Sequence, residues 1–457
     1  MTARTHRFHR VSRLAAVLCM AAAGAMAAPA SAQPDTGGFI ALGQHDYLHR
    51  DMVIFAQGLN LDDGQRMIVE SLYEDYRDAF DAGWLRTQER LNEIRNSEST
   101  DPSEVLNAVL APFEQWRVEK QRIKERFEED VKVLLGPEQL NQWESFQRRM
   151  TREKTLPQAR LSGENVDLFH VVRELNLDER GNMALEPVMQ QYEMAMEEAL
   201  RRRNAIIEEG HRNLFDAIRK QDPAAGVSGM DQQIQRRIDV RNVNDRYIEI
   251  IAGYLTEAKA ADFRANALDR GYPRVYRITP AQRIFREALR MTGLDPDVKQ
   301  GIIDLNNQLN TEMASHNATI LEALRDHEPR ALKNQSDIFA ARQSGERVER
   351  LMDPTHELIR VRDTRANQLV EELKNLMGEE EFAKLPGSSR WLADTSRAAS
   401  DPAQGVDRLH SPRGGTPALG PNQPKRDGNV REPGGRDQVD DPKGSGGREA
   451  PRGRGNR

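Results

Sequence analysis

Between residues 38 and 386 apolar side chains recur at steps of three and four, the interval that lines one face of an α-helix. They do so within a phrase that the chain repeats. "LNLDDGQRMIVESLYEDY" runs from Leu59 to Tyr76, and "LNLDERGNMALEPVMQQY" from Leu175 to Tyr192. A more divergent copy, "TGLDPDVKQGIIDLNNQL", runs from Thr292 to Leu309. Aligned on Leu61, Leu177 and Leu294, the copies lie 116 and 117 residues apart. Their apolar columns then coincide: Val69/Leu185/Ile302, Leu72/Val188/Leu305, Tyr76/Tyr192/Leu309 and Phe80/Met196/Met313. A second phrase follows each copy: "LGPEQLNQW" from Leu135, "LTEAKAADF" from Leu255 and "MGEEEFAKL" from Met377, at intervals of 120 and 122. Just upstream, Phe127/Tyr247/Leu369 and Val131/Ile251/Leu373 also align. Two markers in one order, three times at one interval, indicate tandem duplication.

Each phrase has the chemistry of a helix start. Asp62, Asp178, Asp295 and Thr256 stand where a side-chain oxygen can accept from the first free amides. Gln65 completes a capping box with Asp62, and Pro137 and Pro296 occupy the first helical position, where a missing N–H costs nothing. The pattern predicts an all-α fold of three tandem modules, at residues 38–158, 159–278 and 279–386. Each module reads as a long antiparallel helical hairpin with short flanking helices. The first long helix is expected from Asp63 to Asn96, about 50 Å at ~1.5 Å per residue. Its return helix carries Phe113, Trp116, Ile123, Phe127, Val131 and Leu134 at mixed three- and four-residue steps, a coiled-coil-like seam. Pro187 predicts a kink or a late start in the second copy.

The two ends differ from this body. Residues 1–32 read as a secretory signal peptide: Arg4, Arg7, Arg10 and Arg13, a short apolar run over Leu14–Ala25, then Ala30-Ser31-Ala32 as a cleavage site. Its removal takes the net charge from −6 to −10 and discards the only cysteine, Cys19. The chain is therefore expected to be exported, periplasmic or extracellular, with no disulfide. No later apolar run is long enough to span a bilayer. Residues 387–457 are rich in Gly, Pro and scattered charge, without apolar periodicity, and read as a disordered tail. With 38% apolar and 30% charged residues the chain suits thin helical layers better than one thick core. Its negative charge offers no field for nucleic acid.

A leucine, a capping residue, two further residues and a glutamine, once before and once after a long helical hairpin, form an LTxxQ-like signature. Leu61-Asp62-Asp63-Gly64-Gln65, Leu135-Gly136-Pro137-Glu138-Gln139 and Leu255-Thr256-Glu257-Ala258-Lys259 carry it here. In this the chain resembles the Spy/CpxP-like periplasmic proteins, small all-helical proteins that are usually cradle-shaped dimers and include ATP-independent chaperones and envelope-stress regulators. The resemblance spans residues 38–386 as three degenerate units, where such proteins usually have one. It implies a secreted, non-enzymatic binding protein of the cell envelope, chaperone-like or stress-sensing, acting on unfolded or partner proteins and compatible with a homo-oligomer. Those chaperones tend to present a basic, partly apolar concave face, whereas this body is acidic. The alternative is a passive helical scaffold or spacer tethered by its tail.

Few residues carry candidate chemistry, and no cofactor is implied. His45 and His49 stand at i and i+4 in "QHDYLHRDM"; on a helix both imidazoles would share one face, half of a transition-metal site. Metal-sensing relatives place a His-x-x-x-His pair in the same first helix and complete it with a later His-x-x-x-Met. No histidine follows His49 in the first copy, and two solvated histidines is the competing reading. Tyr76 and Tyr192 share a column midway along the first long helix. They would be client-binding residues if the hairpins leave a cradle open, and core tyrosines otherwise. Met183, Met189, Met194 and Met196 pose the same choice between an adaptable client surface and a core. "HELIR" at His356 and "HEPRA" at His327 lack the second histidine of a zinc protease.

Overall fold

The computed structural model describes residues 42–96, 102–220 and 229–393, and every regular element among them is helical. The expected signal peptide, and the tail beyond residue 393, lie outside the described residues. The first hairpin pairs α2 (Asp63–Arg95) with α3 (Pro102–Val133), preceded by α1 (Asp51–Gly58) and followed by α4 (Pro137–Thr155). The second pairs α6 (Glu179–Lys220) with α7 (Met230–Gly253), between α5 (Leu168–Glu174) and α8 (Glu257–Gly271). After the single turn α9 (Pro273–Tyr276) comes α10 (Pro280–Arg290). The third hairpin then pairs α11 (Pro296–Ser344) with α12 (Thr355–Met377), closed by α13 (Glu379–Ala383).

The repeated phrase marks the same junction three times. After each short helix the chain turns through a left-handed residue, Asn60 (φ 49°), Asn176 (φ 47°) or Gly293 (φ 82°). Asn and Gly take that conformation at the lowest cost. Two residues later an aspartate caps the long helix. Asp62 accepts from the Gln65 amide at 2.8 Å, Asp178 from that of Gly181 at 2.8 Å, and Asp295 from that of Asp297 at 2.9 Å. Thr256 stands at the start of α8 in extended conformation, but its side chain makes no capping bond. α6 runs unbroken through Pro187, so the late start expected there does not occur.

The aligned columns are the hairpin seams. Every member of the Val69, Tyr76, Phe80, Phe127 and Val131 columns is buried in all three copies. Gly83 sets the approach of α2 to α3: a Cβ there would lie 2.3 Å from Trp116, whose indole N–H is already bound to the Leu42 carbonyl at 2.7 Å. Each return helix also holds the segment that leads into its own hairpin. Lys120 donates to the Gln44 carbonyl, Asn244 to those of Gly163 and Val166, and Arg362 to that of Val275, all within 3.0 Å.

The body extends further than the composition suggested. Residues 388–393 form another helical turn in which Ser388 and Trp391 are buried. The Trp391 indole donates to Asn367 at 3.0 Å and its ring packs on Phe382. The expected boundary at 387 is therefore too early, because one aromatic anchor amid Gly and Ser restores the packing that local composition lacks.

Between hairpins, buried polar contacts stand beside a small apolar cluster in which Tyr272 and Val275 pack against Ile320, Leu324 and Ile359 of the third hairpin. The turn-rich segment between α4 and α5 carries Glu164, which is fully buried. One carboxylate oxygen accepts from Arg203 of α6 at 2.7 Å and from Arg237 of α7 at 3.0 Å; the other accepts from the Arg160 and Leu161 amides. Arg203 also donates to the Thr155 carbonyl at the end of α4. Farther along, Ser162 donates through its amide and hydroxyl to Glu328 of α11. Asp245 of α7 accepts from Tyr272 and from Arg325 of α11. Burial pushes the Glu328 and Asp245 carboxyls up, and burial pushes the Arg203 guanidinium down against the pull of Glu164. Glu164→Gln is expected to destabilise the protein by about 3–5 kcal/mol, since it leaves two buried guanidinium groups without their counter-charge. A fall in the urea midpoint checks this; an unchanged midpoint refutes the role given to Glu164.

Candidate functional site: a glutamine clasp and the cleft beside it

The two glutamines of the LTxxQ-like signature meet. Gln65 at the start of α2 and Gln139 at the start of α4 exchange two side-chain hydrogen bonds, each 2.9 Å. Each amide oxygen also accepts from its own helix-capping N–H, Asp62 for Gln65 and Gly136 for Gln139. Each amide nitrogen reaches across to a carbonyl ahead of the other's helix: Gln65 to Leu134 at 2.8 Å, Gln139 to Leu59 at 3.0 Å and Asn60 at 3.2 Å. The arrangement is a local pseudo-twofold in which both phrases close on one another. It satisfies helix-end carbonyls and amides that would otherwise lack partners. In the second copy only half survives, with Lys259 donating to the Leu175 carbonyl at 2.7 Å and Gly181 standing in the place of Gln65.

Beside the clasp a cleft of about 360 Å³ opens between the first hairpin unit and α5 and α6. Asn60 reaches it by donating to Gln142, which lines it together with Gln57 and Gly58 from the end of α1. The far wall is charged. Arg152, nearly buried, donates to Asp167 at 3.2 Å and Glu193 at 3.1 Å, with its guanidinium on the Phe169 ring. Asp167 also caps α5 through the Phe169 amide, and Glu193 accepts from Arg148 at 3.0 Å. His170 pairs with Glu153 at 3.0 Å; this bond raises the imidazole's pKa and lowers that of the carboxyl. Arg149 and Arg173 complete the lining.

The residues singled out in the sequence lie elsewhere. Tyr76 and Tyr192 are core residues. The Tyr76 hydroxyl accepts from the Asp46 and Tyr47 amides at 2.9 and 3.3 Å. The Tyr192 hydroxyl accepts from the Leu168 amide at 3.2 Å and donates to Asn244 at 3.0 Å. Burial pushes both phenols up. Neither ring can line a solvent-facing cradle, which corrects their assignment as client-binding residues: the seam closes over them. His45 and His49 do not share a helical face either, because residues 43–50 form turns and bends and α1 begins only at Asp51. The His45 ring stacks on Phe80, with Nε2 2.9 Å from Asp81 but without hydrogen-bond geometry, while His49 lies edge-on to Tyr73. Among the described residues no group of three or more His, Cys, Asp or Glu converges as a metal site. Of the four methionines, Met189 and Met196 are core, whereas Met183 and Met194 are exposed.

The chain carries one further copy of the signature. "ITPAQ" at Ile278–Gln282 matches the signature more fully than the phrases at Leu61, Leu135 and Leu255, and Thr279 and Gln282 form a capping box at the start of α10. The cleft had no such signal, because its walls come from four helices. Compared with models of protein families, with curated proteins and with solved structures, the chain matches none.

The half-buried His170–Glu153 pair sets a pH window. Its histidine contribution is complete below the ordinary value of 6.5 and fades as pH rises through the raised one. Its carboxylate contribution is complete above the ordinary 4.5 and is lost as pH falls through the lowered one. A double-mutant cycle with Glu153→Gln and His170→Asn is expected to show a coupling under about 1 kcal/mol, given solvent screening. The coupling should be present at pH 5.5 and absent at pH 9; equal values at the two would refute the pairing.

Proposed function

We propose that this chain is an exported, non-enzymatic helical binding protein of the cell envelope with chaperone-like action on unfolded or partner proteins. The observation that carries this reading is the clasp. Gln65 and Gln139 make the two LTxxQ-like phrases one structural unit at the base of a long hairpin, which supports the resemblance to Spy/CpxP-like proteins beyond a shared capping preference. The hairpin seams are filled by their own side chains, so a client would meet exposed apolar side chains instead. Met67 and Met183 hold the same column in two copies and are 69% and 66% exposed. Methionine is suited to partners of varied shape because its unbranched chain adapts.

The passive scaffold is the second reading, favoured by the closed seams and the core positions of Tyr76 and Tyr192. The two separate in one experiment. The chain from Gln33 onward, without nucleotide, is mixed with a chemically denatured client during dilution, and aggregation is followed by light scattering. A chaperone-like binder reduces scattering near equimolar ratio. Met67→Gln with Met183→Gln reduces that protection while leaving the melting temperature within about a degree, because exposed substitutions change stability little. Absence of protection by the unaltered chain would leave the scaffold.

A further inference from the structure

We propose that the cleft between α4 and α5 binds a small oxyanion-bearing ligand, a carboxylate or a phosphate, through Arg149 and Arg173. This site is independent of the client-binding reading above. The argument rests on the accounting of charge around the cleft. Its acids are all engaged: Asp167 by Arg152 and the α5 cap, Glu193 by Arg148 and Arg152, and Glu153 by His170. Two guanidinium groups remain. Among the described residues no carboxylate lies within ion-pair distance of Arg149 or Arg173, and neither makes a side-chain hydrogen bond. Arg149 is half-buried and Arg173 exposed; Arg173 is close enough to repel Arg149, while the already engaged Glu153 and Asp167 attract it from beyond ion-pair distance.

A partly desolvated cation beside a second cation is an unfavourable arrangement that a bridging anion relieves. The planar guanidinium fork matches the paired oxygens of carboxylate and phosphate, so two such forks favour a ligand with two or more oxyanion edges. The neutral side of the cleft supplies donors and acceptors for hydroxyl groups in Gln57 and Gln142. A volume of about 360 Å³ corresponds to roughly a dozen waters at ~30 Å³ each, space for a compact polyanion rather than a nucleic acid or an extended peptide. Phe146 and Phe169 wall the cleft and lower its local dielectric, which strengthens charge-assisted bonds formed inside.

The test is isothermal titration of the chain from Gln33 onward with citrate, with inorganic phosphate, and with chloride at matched ionic strength. The expected result is saturable one-to-one binding of citrate or phosphate, weakened at least tenfold by Arg149→Gln and by Arg173→Gln. Arg219→Gln, which removes a surface arginine of α6 already paired with Glu114, should leave binding unchanged. Citrate tighter than phosphate assigns a polycarboxylate, and the reverse order a phosphate compound. A rise in melting temperature with the ligand, lost in Arg149→Gln, shows that the variant is folded and no longer responds. No saturable binding, equal weakening by Arg219→Gln, or binding that persists in both cleft variants would overturn the proposal.

Discussion

The body of this protein depends on one buried carboxylate. Glu164 sits between the first and second hairpins and accepts from two backbone amides just ahead of it in its own turn and from both long helices of the second hairpin. A charge removed from water is tolerated only where its lone pairs are all met. Few arrangements of α4, the linker, α6 and α7 meet them together, so Glu164 acts as a registration point for elements whose apolar stripes are already used within their own hairpins. Asn244 performs the neutral version of the same task, holding the linker carbonyls with its amide nitrogen and the Tyr192 hydroxyl with its oxygen.

This division follows from the shape of the units. Two long helices bury one seam between them and leave the outer faces to water, and the composition is too poor in apolar residues to build a second apolar layer. Neighbouring hairpins are therefore joined in good part by arginines, carboxylates and backbone carbonyls, as at Ser162–Glu328 and at Asp245–Tyr272–Arg325, beside the small apolar cluster of Tyr272, Val275, Ile320, Leu324 and Ile359. Polar junctions leave gaps where charges do not balance, and the cleft beside the glutamine clasp is such a gap.

The clasp also accounts for the divergence of the copies. In the first, Gln65 and Gln139 satisfy one another and the helix ends around them. In the second, Lys259 retains the carbonyl contact alone. In the third, Val298 and Glu381 stand in the corresponding places, and the short helix α10 is closed by its own Thr279–Gln282 box instead. The capping function persists while the reciprocal pairing does not, because a helix end can be satisfied locally but the pairing needs both partners at once.

What the chain itself determined was whatever is local and periodic. The three- and four-residue spacing of Val69, Tyr76 and Phe80 and of their counterparts, with the Asp caps, dictated long helices, their starts and the buried columns. The start of α2 at Asp63 and its end within one residue of Asn96 followed from those signals. Tertiary structure alone decided which chemistry is brought together. His45 and His49 lost their shared face because the segment before α1 is held open by the Tyr76 hydroxyl and Lys120 rather than coiled. The tyrosines became core because the seam closes over them, and Trp391 extended the body because Phe382 and Asn367 were waiting in space, not in sequence. Glu164, Arg149 and Arg173 are ordinary charged residues in the linear chain. Their burial or lack of a partner is set by side chains far along the chain, 39 and 73 residues away for Glu164, or on another helix, and periodicity carries no record of such distances.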